Sequence, residues 1–124
     1  MRRVMIVDDE RSVLKAVGIV LRRSRFEVVE APSGEEGLEA LRAGFRGVVL
    51  MDIMMPGMTG WETIRAAARE NLLEHSLVCM LTARAWPGRE GEGLEEHVFD
   101  YLPKPFSNSD LVQLVSTAAE CLGE

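Results

Sequence analysis

The sequence predicts an α/β fold, a parallel five-stranded sheet with helices on both faces, and two observations carry that expectation. Short apolar runs alternate with segments of helical periodicity five times along the 124 residues. Several of those runs are apolar at every position, whereas a sheet buried on one face would leave polar residues at alternate positions.

Val4 to Val7 is the first run, too short for a buried helix and bounded by charge, so it reads as a strand. Val13, Leu14, Val17, Val20 and Leu21 follow at helical spacing and predict a helix from about Glu10 to Ser24. Phe26 to Ala31 suits a second strand, punctuated by Pro32 and Ser33. Ser33 with Glu36 makes a capping box for a second helix that carries Leu38 and Leu41 and ends at Gly44. Val48 to Met51 is a third, wholly apolar strand running into Asp52. Beyond the loop Pro56-Gly57-Met58-Thr59-Gly60, a helix carries Trp61, Ile64, Ala68 and Leu72 in register. Leu77 to Leu81 and Asp100 to Leu102 are the fourth and fifth strands. Ser107 with Asp110 opens the last helix, whose stripe is Leu111, Leu114, Val115, Ala118 and Leu122.

Bulk properties narrow the function classes. The chain reads as one domain over residues 1–124, long enough to bury a core without disulfides or a structural metal. A net charge of −6 argues against this domain gripping a polyanion by itself. Cys79 and Cys121 read as core or near-core thiols rather than a disulfide pair. Met1-Arg2-Arg3 is basic, but the apolar run behind it stops at Asp8 and Asp9, so neither an export signal nor a membrane span is expected.

In open parallel sheets ligands bind beyond the carboxyl ends of the strands. Here those ends carry Asp8, Asp9 and Glu10 after the first strand, Asp52 after the third, Thr82 after the fourth and Lys104 shortly after the fifth. Three converging carboxylates repel one another unless a cation enters, and a hard divalent ion such as Mg²⁺ answers that demand. With the cluster neutralised, Asp52 can act as a carboxylate nucleophile toward a phosphoryl donor. Lys104 and Thr82 would then cover oxygens of the transferred group. Read singly, Asp8 and Asp9 could serve only to cap the next helix, Asp52 could be a turn residue, and Tyr101 could be packing. Trp61, Trp86, Met54, Met55 and Met58 read as loop and core filling, and His75 and His97 lack metal-ligand spacing.

The segments VMIVDDE, VVLMDIMMPGMTGWE, LTA and DYLPKPF resemble, in order and spacing, the signature stretches of response-regulator receiver domains. The resemblance spans essentially the whole chain. It implies the flavodoxin-like strand order 2-1-3-4-5 and a phosphoacceptor role for Asp52. It implies Mg²⁺ held by Asp9, Asp52 and the backbone carbonyl of Met54, with Asp8 acting mainly through a metal-bound water. It further implies Thr82 and Tyr101 as a switch pair and a cis peptide bond between Lys104 and Pro105. The implied partners are a sensor histidine kinase or phosphotransfer protein as donor, and a downstream effector, an output domain or a second copy as reader. The implied setting is cytoplasmic, with a monomer or a phosphorylation-dependent homodimer.

The sequence departs from that family between Thr82 and Tyr101. Pro87, Gly88, Gly91 and Gly93 disfavour the fourth helix expected there, a glycine costing about 1 kcal/mol and a proline about 3 relative to alanine. The fourth helix is therefore expected to be short or irregular, with only Leu94 to Val98 readily helical, and His97-Val98 stands where the family often has Gly-Ala. Two other readings stay in view: a phosphorylation-independent docking module, and an aspartyl-phosphate phosphohydrolase. The second would need an acid two residues beyond the nucleophile, where this chain has Met54, so no turnover of small substrates is expected.

Overall fold

In the computed structural model, residues 2–83 and 93–123 are described. The strands are β1 (Arg3–Val7), β2 (Glu27–Ala31), β3 (Gly47–Asp52), β4 (Ser76–Thr82) and β5 (Val98–Pro103). The helices are α1 (Arg11–Arg23), α2 (Gly34–Arg42), α3 (Gly60–Arg69) and α4 (Asn108–Cys121). All strand pairs are parallel and the order is β2-β1-β3-β4-β5, as expected.

The unbroken apolar runs follow from coverage on both faces. Val4, Ile6, Val48, Leu50, Cys79 and Leu81 point to one side, where Leu14, Val17 and Leu21 of α1 and Leu111 and Val115 of α4 close over them. Met5, Val7, Val49, Met51 and Met80 point to the other, against Leu38 and Leu41 of α2 and Trp61 and Ile64 of α3. Every residue of β3 is buried, which places Asp52 at the end of the best-protected strand. Gly47, where β3 begins, has φ +145°, and a β-carbon there would collide with the Arg3 carbonyl oxygen.

The helix starts refine the expected capping. Ser33 Oγ accepts from the Glu36 amide at 3.1 Å and Ser107 Oγ from the Asp110 amide at 3.0 Å, the forward half of each box. The complete reciprocal box lies at Thr59 and Glu62, unnamed in the sequence reading, with bonds of 3.2 and 2.9 Å. Helix α3 ends at Arg69, so Leu72 falls in the following turn. The fully buried small residue of α3 is Ala67 rather than Ala68.

One expectation is corrected: Cys79 is buried, but Cys121 is exposed, because the buried stripe of α4 passes through Ala118 and Ala119 to Leu122 and leaves Cys121 on the solvent side. Most of the segment expected to hold an irregular fourth helix, residues 84–92, lies outside the described residues. Of the stretch Leu94 to Val98, Glu95–His97 form a single 3-10 turn and Val98 already opens β5. Among the described residues no helix is long and apolar enough to cross a membrane.

Candidate functional site

Strand order reverses around β1, so the crevice of the sheet opens between the carboxyl ends of β1 and β3. Asp8 follows β1 and is fully buried, its amide donating to the Ala31 carbonyl at 3.1 Å. Asp52 ends β3 and is 6% exposed, while Asp9 faces solvent. Register places Asp52 beside Leu81, so Thr82 stands one step farther out on the neighbouring strand. Thr82 in turn pairs with Pro103, and the Lys104 amide donates to the Thr82 carbonyl at 2.6 Å. The Lys104-Pro105 bond is cis.

Parallel register thus brings four strand ends to one rim. The Lys104 ammonium donates to Asp8 Oδ2 at 2.9 Å and to Asp52 Oδ1 at 3.4 Å. Asp8 Oδ1 accepts from the Glu10 amide at 2.9 Å, so both oxygens of Asp8 are held by the protein at the start of α1.

One ammonium does not balance three carboxylates. Burial, then the charge of Asp8, pushes the Asp52 carboxyl up to about 6 against the lowering effect of Lys104. Burial acts to lower Lys104, but its hydrogen bond to Asp8 and the charges of Asp52 and Asp8 outweigh it, and its pKa is raised. The lysine therefore stays a cation and the aspartate keeps excess negative charge at neutral pH.

The donor set fits a small hard cation. Asp8, Asp9 and Asp52 each offer a carboxylate oxygen, all within 4.8 Å of one another. Around octahedral Mg²⁺ opposite oxygens are ~4.2 Å apart and adjacent ones ~3.0 Å, so the three acids would draw together on the ion. The nearby side chain of Met54 projects to solvent, 66% exposed, rather than filling the core.

Tyr101 pairs with Met80, two residues before Thr82, and shares its sheet face. It is half-buried, and its phenol is raised by burial and by Glu95. Its ring centroid lies 6.5 Å from that of Trp61, with the planes inclined at 51°. Trp61, expected as loop and core filling, thus borders the expected switch tyrosine, and the residue before it, Gly60, lies against the end of β3. A β-carbon at Gly60 would collide with the Asp52 carbonyl oxygen and come within 3.0 Å of the Ile53 Cα. The glycine directly after Thr59 was the available signal for that close approach.

A doubly wound parallel sheet carrying acids at the ends of β1 and β3 and a lysine beyond β5 defines the class of domain, and comparison with known proteins gives its family. Residues 4–116 match the response regulator receiver domain family, and the chain belongs to it. It is 35% identical over 111 residues to the phosphate regulon transcriptional regulatory protein PhoB of Escherichia coli, covering 90% of this chain and 48% of that protein. The chain thus spans about half the length of the curated relatives it matches. A CheY-like receiver domain from Methanospirillum hungatei superposes with a TM-score of 0.93 at 43% identity, covering 98% of this chain and 96% of the other. The response regulator TrrA of Thermotoga maritima, solved in complex with Mg(2+)-BeF, superposes with a TM-score of 0.82 at 25% identity. That match covers 95% and 99% of the two chains.

Proposed function

We propose that this domain is the phosphoacceptor switch of a two-component pathway, taking a phosphoryl group onto Asp52 from a phosphohistidine. The observation that carries the reading is the buried Asp52 carboxylate facing a lysine ammonium it shares with Asp8. With its pKa at about 6, Asp52 is mostly charged at pH 7 and is available as a nucleophile.

In the transfer, a carboxylate oxygen of Asp52 forms a bond to phosphorus as the P–N bond to the donor imidazole breaks. The bonding pair returns to that nitrogen, and because the donor ring reacts with its other nitrogen protonated, a neutral imidazole leaves. Lys104 moves its hydrogen bond from the carboxylates to an incoming phosphoryl oxygen, and the Thr82 hydroxyl covers another. Mg²⁺, held by Asp9, Asp52 and the Met54 carbonyl with Asp8 acting through water, would supply the remaining positive charge. The Mg(2+)-BeF complex of the Thermotoga relative supports Mg²⁺ as the cation.

Drawing Thr82 toward the acyl phosphate vacates space on the face it shares with Tyr101, whose ring then turns inward and alters the surface around β5. Since Met54 offers no proton-transferring side chain two residues beyond Asp52, the chemistry stops at self-phosphorylation and slow self-dephosphorylation. The domain is thus a switch rather than a turnover enzyme.

A sensor histidine kinase or phosphotransfer protein is the donor. An apolar groove of about 740 Å³, lined by Ser12, Val13, Ala16, Ile19, Lys104 and Phe106, runs from α1 to the Lys104 rim and supports docking of a donor helix there. The reader is an output module or separate effector. The two free thiols suit the reducing cytoplasm. Incubation with Mg²⁺ and acetyl phosphate is expected to add one phosphoryl group by intact mass. Addition that persists in Asp52→Ala would remove Asp52 from this role.

A further inference from the structure

Two backbone bonds meet at Ile53, the residue after the proposed phosphoacceptor. Its amide donates to the Leu81 carbonyl at 3.2 Å, tying it to the strand end that carries Thr82. Its own carbonyl accepts from the Gly60 amide at 2.9 Å, tying it to the start of α3. Gly60 packs its Cα directly on the Asp52 carbonyl, and Trp61 is the next residue. The end of β3 is thus joined to Trp61 as firmly as to Thr82.

Trp61 is 1% exposed, and its indole Nε1 has no hydrogen-bond partner among the described residues. A buried donor left unpaired forfeits the bond it made to water, so the resting packing keeps an unmet demand at this point. The ring beside it is Tyr101, tilted and half-buried, which carries a phenol hydroxyl.

We propose that Trp61 is a positioning residue of the switch, its indole N–H donating to the Tyr101 phenol oxygen once the tyrosine ring turns inward. This rests on the phosphoacceptor reading above and deepens it by naming the group that receives Tyr101. Two routes then run from Asp52 to Tyr101. Withdrawal of Thr82 opens the space, and Trp61, seated through Gly60 on the same backbone, satisfies the hydroxyl that enters it. The inward state gains a bond that the resting state lacks, which biases the two-state equilibrium without adding a contact at the phosphorylation site.

The experiment follows the Trp61 indole N–H resonance in a Trp86→Phe background, which leaves a single indole, before and after addition of Mg²⁺ and acetyl phosphate. Intact mass is recorded on the same samples. Phosphorylated protein is expected to show the indole proton moved downfield. In Tyr101→Phe, which keeps the ring and lacks only the hydroxyl, that shift is lost. An indole resonance that stays in place in protein carrying the phosphoryl group overturns the proposal. So does a shift of equal size in phosphorylated Tyr101→Phe. Absence of any mass increment overturns the phosphoacceptor reading itself, and this inference with it.

Discussion

Lys104 and Asp52, 52 positions apart in the chain, meet at 3.4 Å where the rim of β5 faces the end of β3. The contact exists because parallel pairing aligns β3, β4 and β5 at their carboxyl ends, and the Lys104 amide is tied to the Thr82 carbonyl. It sets the charge state of the site, since both the charge and the hydrogen bond of Lys104 hold the Asp52 carboxyl down.

Replacing that cation should therefore raise Asp52 above its value of about 6. In metal-free Lys104→Ala, carboxyl-carbon titration by NMR is expected to give a higher midpoint for Asp52. An unchanged or lower midpoint would show that the ammonium does not govern the site.

Asp52 also links stability to pH. Its folded-state value lies above the ordinary aspartate value of 3.8, so between about pH 4 and pH 6 the folded protein holds a proton that the unfolded chain has released. Its contribution to stability is accordingly most favourable below pH 4 and declines as pH rises toward 6. The whole decline is at most about 3 kcal/mol, since each unit corresponds to about 1.4 kcal/mol. Metal-free Asp52→Asn should escape this decline. Urea unfolding at pH 4 and pH 7 should show the variant gaining on the parent protein at the higher pH. A parent that gains on the variant would reverse the sign of the argument.

The groove beside Lys104 predicts a separation of donors. Ile19 is 41% exposed on its wall, and a carboxylate there places charge in an apolar contact. Ile19→Glu should slow phosphorylation by the cognate kinase by tenfold or more, about 1.4 kcal/mol. Labelling by acetyl phosphate should keep its rate. Equal slowing of both would locate the defect in the site rather than in docking.

Gly60 tests the close approach beneath Asp52. Gly60→Ala must push the Asp52 carbonyl and Ile53 away, a displacement of packed backbone that costs on the order of 1–3 kcal/mol. A lower urea midpoint at unchanged m-value is expected, together with slower acetyl phosphate labelling. Full stability in the variant would mean that the start of α3 shifts freely.

The strands show how much the sequence revealed. Val4-Met5-Ile6-Val7 and Val48-Val49-Leu50-Met51 identify themselves because a doubly covered strand is apolar at each position. The fifth strand was read too short, as 100–102 rather than Val98–Pro103, because this edge strand is only partly buried and its pattern VFDYLP is mixed. Of the candidate site, the residues at the strand ends were legible as types and positions. Trp61 was legible only as bulk, since an apolar residue at helical spacing says nothing about which ring it meets across a sheet. Cys121 is exposed because a small apolar residue beside a buried stripe can face either way, and here the stripe runs from Ala118 and Ala119 to Leu122.

The alternation of elements and the placing of Asp8, Asp9, Asp52, Thr82 and Lys104 at strand ends belong to the sequence alone, because burial imprints its period on neighbouring residues. Only the tertiary structure decided that Lys104 is shared between Asp8 and Asp52 and that Trp61 lies beside Tyr101 with its N–H unpaired among the described residues. Such relationships depend on register between strands and on how far each helix slides over the sheet. Those quantities arise from packing among distant segments, and no local pattern encodes them.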